Sequence, residues 1–74
     1  MLELKSTEDL MKIVAAGGGI KIGTKQRSTE DLMRIAGATG HKGSRVIFAG
    51  MSHRSTDDSM RIGAAGKGHI LFED

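Results

Sequence analysis

The sequence predicts an α/β fold: a two-layer repeat solenoid in the order β-α-β-α-β-α-β. Its four-stranded parallel sheet, in strand order 1-2-3-4, carries three helices on one face. Three observations predict it. An eight-residue segment recurs three times in register. Every copy opens with a helix-start signature. Every copy then passes through Ala and Gly into a short apolar stretch that alternates in and out.

The recurring segment is Ser6-Thr7-Glu8-Asp9-Leu10-Met11-Lys12-Ile13, then Ser28-Thr29-Glu30-Asp31-Leu32-Met33-Arg34-Ile35, then Ser55-Thr56-Asp57-Asp58-Ser59-Met60-Arg61-Ile62. The copies start at residues 6, 28 and 55, so they lie 22 and 27 residues apart. Self-similarity at a period of roughly 20–50 residues is the signature of stacked supersecondary units. The chain therefore divides into a leading strand (2–4) and three helix-strand repeats (6–22, 28–48 and 55–72) within one domain spanning 1–74.

The leading strand is Leu2-Glu3-Leu4. Each helix then starts at Ser6, Ser28 or Ser55, with Asp9, Asp31 or Asp58 three residues on. This is the aspartate form of the capping box, in which side-chain oxygens satisfy orphan backbone donors. The acids also sit in the first turn, where the helix dipole favours negative charge. Leu10, Ile13 and Val14, and likewise Leu32, Ile35 and Ala36, recur at the spacing of one buried helical stripe. Gly17, Gly40 and Gly66 suit the left-handed residue that ends a helix. Helices this short are not stable alone and need a sheet to pack on.

The strands are Ile20-Lys21-Ile22, Val46-Ile47-Phe48 and Ile70-Leu71-Phe72. Alternation sets Leu2, Leu4, Ile20, Ile22, Val46, Phe48, Ile70 and Phe72 on one face, with both phenylalanines buried. Strands joined through a helix run parallel, and such crossovers share one hand. All three helices therefore fall on the same side. In period and strand-plus-helix unit this resembles the leucine-rich-repeat class. The resemblance is architectural: the L-x-x-L-x-L-x-x-N/C motif is missing, and the chain contains no Asn to form that family's ladder. The units are also similar to a loose group of small bacterial and phage proteins built on S-x-x-D-L-x-x-I-A-x-A-G-x-G-x-V-x-F, which implies no particular activity.

Composition narrows the function. The chain has 74 residues, no Cys, no Pro, no Trp and two Phe. A chain this short buries only about 60% of its unfolded surface. Stability then usually needs disulfides, a structural metal or self-association. Absence of Cys removes disulfides and thiolate zinc, and His41, His53 and His69 form no close ligand pair, which speaks against a histidine-based metal site. Self-association is left. Net charge is +2, which permits acidic partners without requiring them. No apolar run approaches the roughly 20 residues that span a bilayer, and Met1–Lys5 lacks a secretory apolar region. The expected localisation is cytoplasmic, with no membrane association and no cofactor.

Two surfaces are candidates for binding. Helices cover one face of the sheet, whereas parallel sheets are ordinarily covered on both. The open face should carry Glu3, Lys21, Ile47 and Leu71, flanked by Arg45, His69 and Glu73. Ile47 and Leu71 would lie side by side, and a contiguous exposed apolar pair points to a contact surface. Lys21, Arg45, Ile47, His69 and Leu71 are therefore the candidate protein interface. The terminal strands also leave backbone groups available for edge pairing between two copies. A homodimer is the expected assembly.

The second surface lies at the strand C-terminal ends, where open α/β sheets bind ligands. Lys5, Arg27 and Arg54 each precede an N-cap serine and should stack in a column, joined there by Lys25 and His53. These five are the candidate anion or nucleic-acid contacts, since helix N-termini attract anions. A ladder of salt bridges to neighbouring helix-start acids explains the same column without a ligand. A second column, Lys12, Arg34 and Arg61, pairs favourably with Glu8, Glu30 and Asp57 four residues earlier. Met11, Met33 and Met60 read as adaptable filler between helices. Gly37-Ala38-Thr39-Gly40-His41-Lys42-Gly43-Ser44 resembles a phosphate loop but lacks Gly directly before Lys and ends a helix where such a loop opens one.

No Ser, His and acid fall in a catalytic spacing, so no catalysis is expected. The preferred reading is a non-catalytic protein-binding module that self-associates and binds a further protein partner. Its size and lack of catalytic residues suit a small bacterial or phage inhibitor of a larger complex, such as an anti-defence protein. The alternative is an anion- or nucleic-acid-binding protein using the basic edge.

Overall fold

The computed structural model describes residues 5–39 and 44–74. Three helices and three strands alternate: α1 (Thr7–Ala15), β1 (Ile20–Gly23), α2 (Thr29–Gly37), β2 (Val46–Ala49), α3 (Thr56–Gly66) and β3 (Ile70–Phe72), with a short 3₁₀ turn at Met51–His53. The strands form a parallel sheet in the order β1-β2-β3. The expected sheet had four strands. Its leading strand, 2–4, falls outside the described residues, and three strands are present among those described.

The helices begin as the sequence dictates. Ser6, Ser28 and Ser55 take extended backbone, and each Oγ accepts from the amide of Asp9, Asp31 or Asp58 at 3.1 Å. One orphan donor per helix is thereby satisfied. The ends differ more. Gly17 takes φ +105°, and the Gly18 amide reaches back to the Ile13 carbonyl at 2.9 Å while the Gly17 amide bonds Val14. That is a Schellman ending. Gly40 falls outside the described residues. Gly66 is the last residue of α3 but not the left-handed one, which is Lys67, at φ 49°. Gly66 is instead a matter of space, because a Cβ there would lie 2.9 Å from the Ile70 side chain.

One hydrophobic layer joins helices to sheet. Leu10, Val14, Leu32, Ile35, Ala36 and Ile62 pack with Ile20, Ile22, Val46 and Phe48, and Met51 closes the end. Helices from all three units contribute to this cluster, so they share one face of the sheet. Buried polar groups tie the units to one another. Ser44 Oγ donates to the Val14 carbonyl, Thr24 Oγ1 to the Ala49 carbonyl at 2.7 Å, and Thr39 Oγ1 to the Ala36 and Gly66 carbonyls. Among the described residues no buried side-chain polar atom lacks a partner, which avoids the cost of a desolvated orphan.

Burial fades toward the last unit. Phe72 stacks on Phe48 with ring centroids 6.4 Å apart, yet it remains 41% exposed, contrary to the sequence expectation that both rings are buried. Met11 and Met33 pack against the core, whereas Met60 is 66% exposed. The cause is positional. Met11 and Met33 each sit on a helix followed by another, and no described helix follows α3.

Candidate interaction surfaces

The sheet face away from the helices carries Lys21, Ile47 and Leu71 in one row, matched Cα to Cα across β1, β2 and β3. Alternation sends the neighbours Ile20, Ile22, Val46 and Phe48 into the core and turns this row outward. Lys21 and Leu71 are exposed and Ile47 is half-buried. Arg45 and His69 occupy the row before it, linked through backbone bonds from Ile20 N to Arg45 O and from Val46 N to His69 O. All five candidate interface residues therefore meet on one surface. Lys21 Nζ pairs with Glu73 Oε1 at 3.0 Å. That pair joins β1 to the end of β3 and must cross β2 diagonally, beside Ile47. Both partners are about half exposed, so the pair contributes little energy by itself.

The three large hydrophobics exposed among the described residues are Met60, Leu71 and Phe72. All belong to α3 and β3. Side chains at the corresponding positions of the preceding units, Met33, Ile47 and Phe48, are half-buried or buried.

At the strand C-terminal ends the basic column is resolved into hydrogen bonds. Arg27 Nη1 donates to Thr7 Oγ1 at 2.9 Å and Nη2 to the Lys5 carbonyl at 2.6 Å. Arg54 repeats the arrangement one unit on: Nη1 donates to Thr29 Oγ1 at 2.7 Å, and Nη2 to the carbonyls of Thr24, at 2.8 Å, and Arg27. Where the sequence suggested salt bridges to helix-start acids, Arg54 bonds uncharged oxygens that precede it, and the bonds of Arg27 include two of the same kind. Arginine suits this because its planar fork reaches a hydroxyl and a carbonyl together. The threonine after each N-cap serine was the missed participant. Its recurrence at Thr7, Thr29 and Thr56 was the available signal.

A cavity of about 460 Å³ opens beside this column. Lys5, Lys25 and Arg27 line it with Thr24, Gln26 and Asp31. Three of the five anion candidates therefore converge. His53 lies exposed on the 3₁₀ turn, and Arg54 directs its donors into the preceding unit. Neither lines this cavity. On the helix surface, Arg34 pairs with Asp31 at 3.8 Å, three residues earlier, where the sequence suggested Glu30 at four.

No protein family, curated protein or solved structure matches this chain. Among the described residues no helix is long and apolar enough to cross a membrane.

Proposed function

We propose that this chain is a non-catalytic protein-binding module that self-associates, its first partner being a second copy of itself. The observation that carries this reading is that Met60, Leu71 and Phe72, the large hydrophobics exposed among the described residues, all belong to α3 and β3. Scattered apolar residues need no explanation, but three in one unit, Leu71 on the open face and Met60 and Phe72 on the helix side, support a contact surface along its outer edge. Within this reading the chain is a repeat solenoid with Leu2-Glu3-Leu4 as the leading strand of a four-stranded sheet. Lys21, Arg45, Ile47, His69 and Leu71 form its interaction face. A small inhibitor that occludes a surface of a larger protein complex in the cytoplasm is the form of this function that its size suits. Light scattering tests the reading. The wild-type chain is expected to be dimeric at high micromolar concentration, and the Ile47→Lys/Leu71→Lys variant monomeric with an unchanged circular dichroism spectrum. A strictly monomeric wild type overturns it.

A second reading is favoured by one specific feature, the cavity lined by Lys5, Lys25 and Arg27. It supports binding of an anionic ligand, with nucleic acid as the macromolecular version. If so, Lys5→Gln/Lys25→Gln weakens oligonucleotide binding and flattens its salt dependence in proportion to the phosphates no longer neutralised. Unchanged binding and slope would remove this reading.

A further inference from the structure

We infer that the second copy docks on the outer edge of β3, antiparallel to it, about a two-fold axis through Leu71. This inference rests on the self-association proposed above and names the surface that mediates it.

The backbone of β3 sets the register. Val46 N bonds the His69 carbonyl, and Glu73 N bonds the Phe48 carbonyl. In a parallel ladder the residues that face a neighbour alternate. His69, Leu71 and Glu73 therefore turn their peptide groups toward β2, and Ile70 and Phe72 turn theirs outward. Two copies of this edge are self-complementary. With Leu71 on the axis, Ile70 of one copy exchanges both backbone bonds with Phe72 of the other, and the reverse. Leu71 then faces its own counterpart in a non-hydrogen-bonded pair, where Cα atoms approach to about 4.5 Å.

Side chains agree with the backbone. Leu71 points to the open face and is 52% exposed. Pairing makes a continuous apolar strip from Ile47 through both Leu71 side chains to the partner's Ile47. Phe72 and Met60, on the helix side, meet the same seam. The two-fold that reverses the strands also reverses α3 against its copy. The acidic first turn at Asp57 and Asp58 then faces the end carrying Lys67, and the helix dipoles oppose. Nothing in β3 blunts this edge: it holds no Pro and no charged residue between Ile70 and Phe72, the devices that ordinarily protect edge strands.

The chain lacks cysteine, so introduced thiols report cleanly. Leu71→Cys is expected to form an intermolecular disulfide on mild oxidation, because the pair falls within the Cα range a disulfide spans. Ile47→Cys serves as the control. Three strand spacings, about 14 Å, separate Ile47 from its counterpart. Its cross-linking should be at least tenfold slower. Hydrogen exchange on the unmodified chain gives an independent readout. The amides of Ile70 and Phe72 should become protected as concentration rises, while that of Leu71 is protected throughout. If the chain dimerises but Ile47→Cys cross-links as fast, the edge geometry is wrong and self-association survives. The same holds if only a mixture of Met60→Cys and Ala16→Cys chains cross-links, since Ala16 is the exposed residue that closes α1 in the first unit and such a link indicates head-to-tail stacking. Dimerisation with Ile70 and Phe72 amides unchanged also overturns the edge. A chain that stays monomeric overturns both proposals.

Discussion

Arg54 reaches back across a whole helix-strand unit to hold Thr29, with Nη1 donating to Oγ1 at 2.7 Å. Arg27 holds Thr7 in the same way. Each guanidinium therefore links the end of one strand to the start of the helix before it through a threonine hydroxyl. Arg54→Lys should cost about 1–3 kcal/mol, because the ammonium keeps the charge but cannot fork between hydroxyl and carbonyl. A urea midpoint measures it. Equal stability of the lysine variant would mean that charge alone matters. In a double-mutant cycle, Arg54→Ala with Thr29→Val should show coupling of about 0.5–1.5 kcal/mol.

The helix starts should be separable from the packing. Ser28→Ala removes the acceptor for the Asp31 amide and should destabilise by about 1 kcal/mol, with Ser28→Gly costing only a few tenths. Thermal or urea unfolding of the two variants checks the order, and a larger loss for glycine than for alanine would contradict the cap assignment.

Two glycines should respond to alanine with opposite signs. A Cβ at Gly18 would stand 2.8 Å from Ile13 Cγ2 and 3.0 Å from the Ile13 carbonyl oxygen. Gly18→Ala should therefore cost about 1–3 kcal/mol through overpacking. At Gly37 a Cβ meets nothing within 4 Å, so Gly37→Ala should stabilise by about 0.4–1 kcal/mol by restricting the unfolded chain. Urea titrations of both variants decide the point. Matching signs would mean that the local geometry is wrong at one of them.

Position within the three units should outweigh residue type. Ile35 is fully buried, and Ile35→Ala should cost about 2–5 kcal/mol. Met60→Ala, measured at concentrations too low for association, should fall within about 0.5 kcal/mol of wild type. Equal losses would show that Met60 is packed as tightly as Ile35 and that burial does not fade along the units.

Much of this arrangement was legible in the sequence because the same local rules apply three times. Serine followed by aspartate three residues on marks each helix start, and alternation assigns Ile20, Ile22, Val46 and Phe48 to the core. The row Lys21–Ile47–Leu71 follows from that alternation alone. What escaped depends on neighbours that no local pattern encodes. Phe72 and Met60 match residues that are buried or packed in earlier units, and they are exposed because no described helix follows α3. The arginine column was visible, but its partners were not. Carboxylates lie nearer in sequence, and no local pattern points to the threonine hydroxyls and backbone carbonyls that Arg27 and Arg54 reach. Gly66 looked like the left-handed residue of a helix stop; that conformation falls to Lys67, and Gly66 leaves the gap into which Ile70 packs.

In the proposed dimer a second copy completes the apolar end of this small, cysteine-free chain and thereby adds to its stability. The most direct test is the melting temperature of the wild-type chain from about 10 µM to about 1 mM, since association that favours the folded state makes Tm concentration-dependent. Tm is expected to rise steadily by several degrees across that range. A Tm that does not change with concentration would contradict it.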